Sequence, residues 1–397
     1  MSEYQGPLFP KGFLAASINC GIKESKKDLT LLCCPNGATS AATFTKNVCC
    51  AAPVLLDREH LKNGRCRAIL TNSGNANAAT GERGLKDAKN CARKVAEVLG
   101  CEEKEVFVCS TGCIGLFLPV EKILNGVKPL VAALADSPEA ESDAAQGILT
   151  TDLVKKMSCR EIKLSEGTVR IGGMCKGSGM IMPNMATMLA YVTTDADIPA
   201  PELQEFFSAA VKGSFNHVSV DGDTSTNDSA FLLASGASGV KLISEEDKAL
   251  FAKALLEVCV DLAKAIARDG EGATKFVEVV VEGTKDNQDA EIIAKTIANS
   301  PLVKTSICGG DPNWGRVLAA AGRAGIPYDQ NQATLYMGEL LAAKNGMNAN
   351  TDREELAMVY RKKEVKIRLV VGDGPGTFTA WTCDLTHGYI DINVDYT

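Results

Sequence analysis

Residues 176–194 read KGSGMIMPNMATMLAYVTT. Gly177, Gly179 and Pro183 make an irregular approach, Ala186 stands directly before Thr187, and TMLAYVTT reads as a buried strand. A threonine at the head of a strand becomes a nucleophile if the chain breaks just before it. The break places a free α-amino group on the residue that carries the hydroxyl. Such an amine has a pKa of about 7.7–8.0, so part of it is neutral near neutral pH and can take the hydroxyl proton.

Working outward, strands and helices interleave. RAILT (67–71) is a strand that enters an Asn- and Gly-rich loop, and the helix after it carries Leu85, Ala88, Cys91, Ala92, Val95 and Leu99 on one face. EVFVC (105–109) is a second strand, ending in the polar turn STG (110–112). A helix over 120–134 is expected to break at Gly126 and Pro129. Residues 201–213 form a helix, FNHVSV (215–220) a strand, and 246–268 the longest helix, striped by Leu250, Leu255, Val258, Leu262 and Ile266. Residues 275–283 are a strand and 287–300 a helix. The remainder mixes strands such as VKIRLVVG and YIDINV with a helical region near 337–346. This order gives an α/β (α+β) class with layered sheets. The charged turn GTKDNQD suggests a boundary, dividing the chain into 1–283 and 284–397.

Composition narrows the function. The 397 residues carry a formal net charge of −7, which argues against nucleic-acid or anionic-membrane binding. No run of 18 apolar residues suggests a membrane span. The N-terminus lacks a signal pattern, so a cytoplasmic protein is expected, or an organelle-matrix protein if a transit peptide has been removed. Fifteen scattered cysteines include no CxxC pair and read as buried reduced thiols.

Rival chemistries lack their residues. The three histidines, His60, His217 and His387, lie in a charged segment, a strand and the C-terminal region, and no GxSxG elbow occurs. DGDTSTND (221–228) lacks the sixth-position Gly and twelfth-position Glu of a calcium loop and reads as a turn. No metal site is expected. The STG turn offers backbone N–H groups and a hydroxyl in one direction, the composition of an oxyanion hole, although a simple strand-exit turn has the same composition.

Taken as a set, NSGNANAATG (72–81), STGCIG (110–115), LTTD (149–152), KGSGMIMPNMATML (176–189), FNHVSVDGDTSTND (215–228), DGEGATK (269–275), NSPLVKT (299–305), GGDPNWGR (309–316) and CDLTHGYIDINVDYT (383–397) resemble the ornithine acetyltransferase (glutamate N-acetyltransferase) family of arginine biosynthesis. They run almost end to end and in the family's order.

The resemblance implies a four-layer αββα sandwich of the DmpA and ornithine acetyltransferase type, with a C-terminal α/β domain. It implies self-cleavage between Ala186 and Thr187, giving an α-chain of 1–186 and a β-chain of 187–397 in an α2β2 assembly. The implied reaction moves acetyl from N2-acetylornithine to glutamate through an acetyl ester on Thr187. No cofactor is implied, and acetyl-CoA is a second donor for some members. Carried over, Thr111 and Gly112 form the oxyanion hole, and Thr150, Lys176, Thr187, Glu271, Asn393 and Thr397 bind substrate. An ammonium and hydroxyls suit an amino-acid carboxylate, and Glu271 suits the cationic δ-amine of ornithine. The family pattern has two small hydroxyl residues after the terminal tyrosine, whereas this chain has Thr397 alone.

Other readings stand beside these. Lys176 reads also as a solvated loop lysine, Glu271 as a helix-end residue, and Asn72, Asn75 and Asn77 as loop stabilisers. Asp311 and Arg316 read as an ion pair or turn network holding the domains together. The alternative reaction is a self-processed aminopeptidase or amidohydrolase in which water accepts the acyl group from Thr187. A non-enzymatic binding protein would remain uncleaved.

Overall fold

The computed structural model describes residues 4–182 and 188–394, which form two units. Unit 1 comprises Met1–Asn216 and Asp223–Ile266, and unit 2 His217–Gly222 and Ala267–Thr397.

Through unit 1 the elements run β1 (Leu14–Ile18), β2 (Leu29–Phe44), α1 (Ala52–His60), β3 (Arg65–Asn75), α2 (Gly81–Leu99), β4 (Val106–Cys113), α3 (Val120–Ala132), α4 (Pro138–Gly147), β5 (Lys156–Leu164), β6 (Gly167–Lys176), β7 (Leu189–Thr194), α5 (Ala200–Lys212), β8 (Ser229–Ala234) and α6 (Glu245–Arg268). The strands form one sheet in the order β4-β3-β2-β8-β7-β6-β5, with β1 paired to β2.

This sheet folds over on itself. In a flat sheet, three strand spacings separate β4 from β8, and β3 from β7, by about 14 Å. Yet the rings of Phe107 and Phe231 are 5.2 Å apart, and Thr71 Oγ1 and Tyr191 OH share a hydrogen bond of 2.7 Å. The fold line is the 16-residue β2. Its first half pairs with β1 and β3, its second half pairs with β8, and its register with β3 shifts between Cys33 and Ala38. The two inward faces share a core of Leu32, Ile69, Phe107, Met174, Tyr191 and Phe231.

Helices cover both outer faces. Ala88, Cys91, Ala92 and Val95 of α2, with Ile123 and Val127 of α3, pack against Leu31, Leu70 and Val108. On the other side the Cys175 thiol reaches the carbonyl of Leu262 on α6, and Phe206 of α5 meets Phe251 of α6 at 5.3 Å. The result is the expected αββα layering. The stripe on α6 differs in one member: Leu250 is exposed and Phe251 is buried. α3 runs unbroken through Gly126, which packs against Cys20 and Leu29, and through Pro129. His60, in a segment that looked like surface, is buried, with Nδ1 2.8 Å from the Val106 carbonyl.

Unit 2 contains β9 (Phe276–Gly283), α7 (Asn287–Ala298), α8 (Pro301–Cys308), α9 (Trp314–Gly322), β10 (Thr334–Met337), β11 (Leu340–Lys344), β12 (Met347–Asn348), α10 (Arg353–Tyr360), β13 (Glu364–Val370), β14 (Gly374–Cys383) and α11 (His387–Val394). Its sheet order is β12-β11-β10-β13-β9-β14. The expected boundary at 283/284 falls inside this unit, because β9 pairs parallel with β13 and antiparallel with β14. The charged turn after β9 is the entry to α7, whose first N–H groups are capped by Asp286.

Three expected elements differ. Residues 337–346 are not helical: Gly338, at φ +57°, turns β10 into β11, and antiparallel pairing of β11 with β10 overrides the helical propensity of ELLAAK. YIDINV alternates like a strand but lies in α11, where the Thr386 hydroxyl accepts the Gly388 N–H and starts a helical turn. FNHVSV is a short 3₁₀ turn, Phe215–His217, after which Val218 bridges to Trp381. The His217 ring stacks on Phe378 at 4.2 Å, and its Nδ1 lies 2.6 Å from the Thr379 carbonyl.

Candidate functional site

Thr111 and Gly112 end β4, on the parallel pairing with β3, where Ser73 lies opposite Thr111 and Gly74 opposite Gly112. The backbones approach closely. A Cβ on Gly112, at φ +137°, would lie 2.3 Å from the Gly74 carbonyl carbon and 2.5 Å from the Asn75 nitrogen. Only glycine fits, so the STG turn has one geometry.

Polar side chains brace this end. Ser110 Oγ donates to Asn72 Oδ1 at 2.6 Å, and Asn72 Nδ2 donates to the Asn75 carbonyl at 2.8 Å. Asn77 N–H donates to Asn75 Oδ1. Asn227, on the DGDTSTND segment, donates through Nδ2 to the carbonyls of Ala76 and Ser110 at 2.6 and 2.8 Å. These asparagines therefore stabilise the loop. Asn227 escaped sequence reasoning because its partners are 151 and 117 residues away.

Lys176 ends β6 and is buried, not a solvated loop residue. Its ammonium donates to Thr111 Oγ1 at 3.3 Å. The bond occupies a lone pair of the Thr111 oxygen and leaves its O–H able to donate elsewhere. Lys176 thus polarises a hydroxyl beside the Gly112 N–H, two donors suited to a developing oxyanion.

Asp152 organises the neighbouring loop. Its Oδ1 accepts from Lys156 Nζ and from Gly177 N–H, both at 2.7 Å, and its Oδ2 accepts the Thr150 N–H at 3.1 Å. One carboxylate thereby holds Thr150 and the chain just after Lys176. Burial opposes its ionisation, but Lys176 and Lys156 outweigh burial and hold the carboxyl down at about 2. The side chains of Asp152 and Lys156 are fully buried. Within LTTD the sequence points to Thr150 alone, because the partners of Asp152 are visible only in the fold.

Within unit 2, Glu271 is buried and accepts from Asn393 Nδ2 at 2.7 Å. The C-terminal segment folds onto DGEGATK: Thr386 Oγ1 donates to the Gly272 carbonyl at 2.6 Å, and Asp384 accepts the N–H groups of Thr274 and Lys275. A Cβ on Gly272 would lie 2.4 Å from the Tyr389 nitrogen. The structure therefore joins Thr111, Gly112, Lys176 and the Thr150 loop in unit 1, and Glu271 with Asn393 in unit 2. Ala186, Thr187 and Thr397 lie outside the described residues.

Asp311 and Arg316 do not pair with each other. Asp311 binds Arg353 at 2.7 Å, and Arg316 donates to the Leu302 carbonyl at 2.9 Å. Among the described residues no group of three or more His, Cys, Asp or Glu is placed to hold a metal ion, and no helix is long and apolar enough to cross a membrane.

The family model described as the ArgJ family matches residues 14–397. An "Arginine biosynthesis bifunctional protein ArgJ" from Chlorobaculum tepidum is 50% identical over 391 residues, covering 98% of this chain and 96% of its own. A protein of the same name from Caldanaerobacter subterraneus subsp. tengcongensis is 47% identical, covering 98% of this chain and 97% of its own. A crystal structure of arginine biosynthesis bifunctional protein argJ from Bacillus halodurans, 44% identical, aligns with a TM-score of 0.51 over 53% of this chain and all of its own. The chain belongs to the ArgJ family.

Proposed function

We propose that Thr187 is the nucleophile through which this arginine-biosynthesis acyltransferase moves acetyl from N2-acetylornithine to glutamate. The reading rests on one observation: the Lys176 ammonium lies 3.3 Å from the hydroxyl oxygen of Thr111, next to the glycine whose N–H completes an oxyanion hole.

In this scheme the chain first cuts itself between Ala186 and Thr187. Thr187 Oγ then attacks the acetyl carbonyl, and its proton passes to the freed α-amine. The carbonyl oxygen gains charge and is met by the Gly112 N–H and the Thr111 hydroxyl. The carbon–nitrogen bond breaks, the α-amine returns the proton, and ornithine leaves as the amine. The amine of glutamate attacks the acetyl ester by the reverse sequence and regenerates Thr187. Thr150 and Lys176 receive the substrate carboxylate, Glu271 and Asn393 the far end of ornithine, and Thr397 a further polar contact. The chemistry needs no cofactor. We extend the proposal to acetyl-CoA as a second donor, which the relatives' designation as bifunctional supports, to an α2β2 assembly and to a cytoplasmic location.

Denaturing electrophoresis with N-terminal sequencing tests the scheme. Two fragments are expected, the second beginning TMLAYV, with Thr187→Ala remaining a single inactive chain. Ornithine release from N-acetylornithine should require glutamate. A wild-type chain that stays intact on incubation would overturn the nucleophile. Ornithine release that ignores glutamate would favour the aminopeptidase or amidohydrolase alternative, in which water takes the acyl group.

A further inference from the structure

We propose that Lys23 is a second cationic recognition residue for the carboxylate of the amino-acid substrate, acting beside Lys176. This inference rests on the function proposed above.

Lys23 lies between β1 and β2, in a loop held by Asp28. The Asp28 carboxylate accepts the N–H groups of Cys20 and Ile22, both at 2.7 Å, and of Lys23 at 2.8 Å. Three backbone donors on one buried carboxylate give the loop a defined path. The Lys23 stem then crosses Gly74: a Cβ there would stand 3.5 Å from its Cγ and 3.8 Å from its Cε. On its other side Gly74 abuts Gly112. One residue's thickness separates the lysine stem from the oxyanion turn.

The ammonium joins two elements of the site. It donates to Ser73 Oγ at 2.6 Å and to the Leu149 carbonyl at 2.7 Å. Ser73 is the register partner of Thr111, and Leu149 precedes Thr150. An ammonium has three donors, and the third has no acceptor among the described residues.

The charge balance points the same way. Among the described residues no carboxylate lies within ion-pair distance of Lys23. Asp28 and Lys26 face it from its own loop, Lys176 from the end of β6, and Asp152 from the loop after α4. Asp152 is already engaged by Lys156. Lys23, Lys156 and Lys176 thus share Asp28 and Asp152, and the Lys23 and Lys176 ammonium groups reach Ser73 and Thr111, which are register partners. Holding the half-buried Lys23 ammonium without an ion-pair partner among the described residues is unfavourable, and an anionic ligand relieves it. Burial, with Lys26 and Lys176 adding, brings the Lys23 ammonium down to about 8, against the opposing effect of Asp28 and Asp152. Its charge is therefore lost over a range in which the substrate carboxylate keeps its own.

Steady-state kinetics of wild type, Lys23→Met and Lys23→Arg, over pH 6.5–9.5, test the assignment. Lys23→Met should raise KM for both N-acetylornithine and glutamate about tenfold while kcat falls less than about threefold. Lys23→Arg should restore KM to within about threefold of wild type. Wild-type KM should climb above about pH 8, and this limb should be missing in Lys23→Met. Thermal melts and the extent of self-cleavage identify a variant that has lost its fold, in which case Lys23→Gln takes its place. An unchanged KM in Lys23→Met, or a loss of kcat alone shared by Met and Arg variants, overturns the assignment. Loss of acetyl transfer in Thr187→Ala checks the underlying function independently, so the two can fail separately.

Discussion

Asp228 Oδ1 accepts the backbone N–H of Met188 at 2.8 Å, which anchors a fully buried carboxyl on the residue that follows Thr187. Burial pushes this carboxyl well above the usual range, against the pull of the Met188 N–H. Asp228→Ala strands a buried donor, a loss of about 1–3 kcal/mol, and should slow self-cleavage on the order of tenfold. Asp228→Asn keeps an acceptor oxygen and should cleave near the wild-type rate. Densitometry of the two fragments against time checks both.

The same carboxyl sets a pH dependence. Its folded pKa lies above its unfolded value of about 3.9, so the folded chain binds the extra proton. Its contribution is complete below the unfolded pKa and is lost as pH rises. Wild-type stability should therefore fall relative to Asp228→Asn as pH rises above about 4. Urea titrations of both proteins at several pH values check the direction.

Asp152 behaves in the opposite sense. Its carboxyl is held at about 2, below its unfolded value, so its contribution is present above that unfolded value and is lost as pH falls toward 2. Asp152→Asn leaves Lys156 buried without its anion and should cost about 3–5 kcal/mol of unfolding free energy near neutral pH. The acid limb of wild-type stability should also flatten in this variant.

Gly112→Ala forces a Cβ into the Gly74 backbone, which has no side chain to move aside. The N–H of residue 112 must then turn away from the reacting oxygen. We expect kcat to fall about 10²–10³-fold, the scale of a lost oxyanion donor, with little change in KM. Gly74→Ala pushes on Ile22 and Lys23 instead and should raise KM.

Glu271→Gln removes the charge proposed to face the δ-amine of ornithine. KM for N-acetylornithine should rise about tenfold, and KM for glutamate should change less. Asn393→Ala breaks the 2.7 Å bond to Glu271 and should produce a smaller shift in the same direction. Half-reaction kinetics with each substrate separate the two effects.

Local pattern carried much of the fold. The apolar faces of α2 and α6, the strand after Thr187 and β9 are set by periodicity and burial. The hairpin over residues 337–346 defeats that reading, because pairing of β11 with β10, itself held by β13, outweighs the helix propensity of ELLAAK. YIDINV failed for the converse reason: a hydroxyl cap on Thr386 starts a helix that the alternating pattern conceals.

In the site, Thr111, Gly112, Lys176 and Thr150 stood in short motifs, so their grouping was legible. Asp152 sits in LTTD, but its partners Lys156 and Gly177 are visible only in the fold. Lys23 carries no motif, and its partners lie 50 and 126 residues away. Contacts over such separations leave no local trace.

The sheet topology gives the proposed cut at 186/187 an unusual meaning. Strands on the two sides of that bond are interleaved: β6 pairs with β7 over Ile171–Lys176, and β2 pairs with β8 over Thr39–Phe44. The two polypeptides of the proposed scheme would not be subunits that meet as finished bodies. Unit 1 draws the strands of one sheet from both sides of that bond. Neither piece should fold alone or exchange with a free copy, and the new terminus is made only after its surroundings have been built. In the proposed scheme, severing the backbone would release an amine at Thr187 while β7 stays paired with β6 and β8.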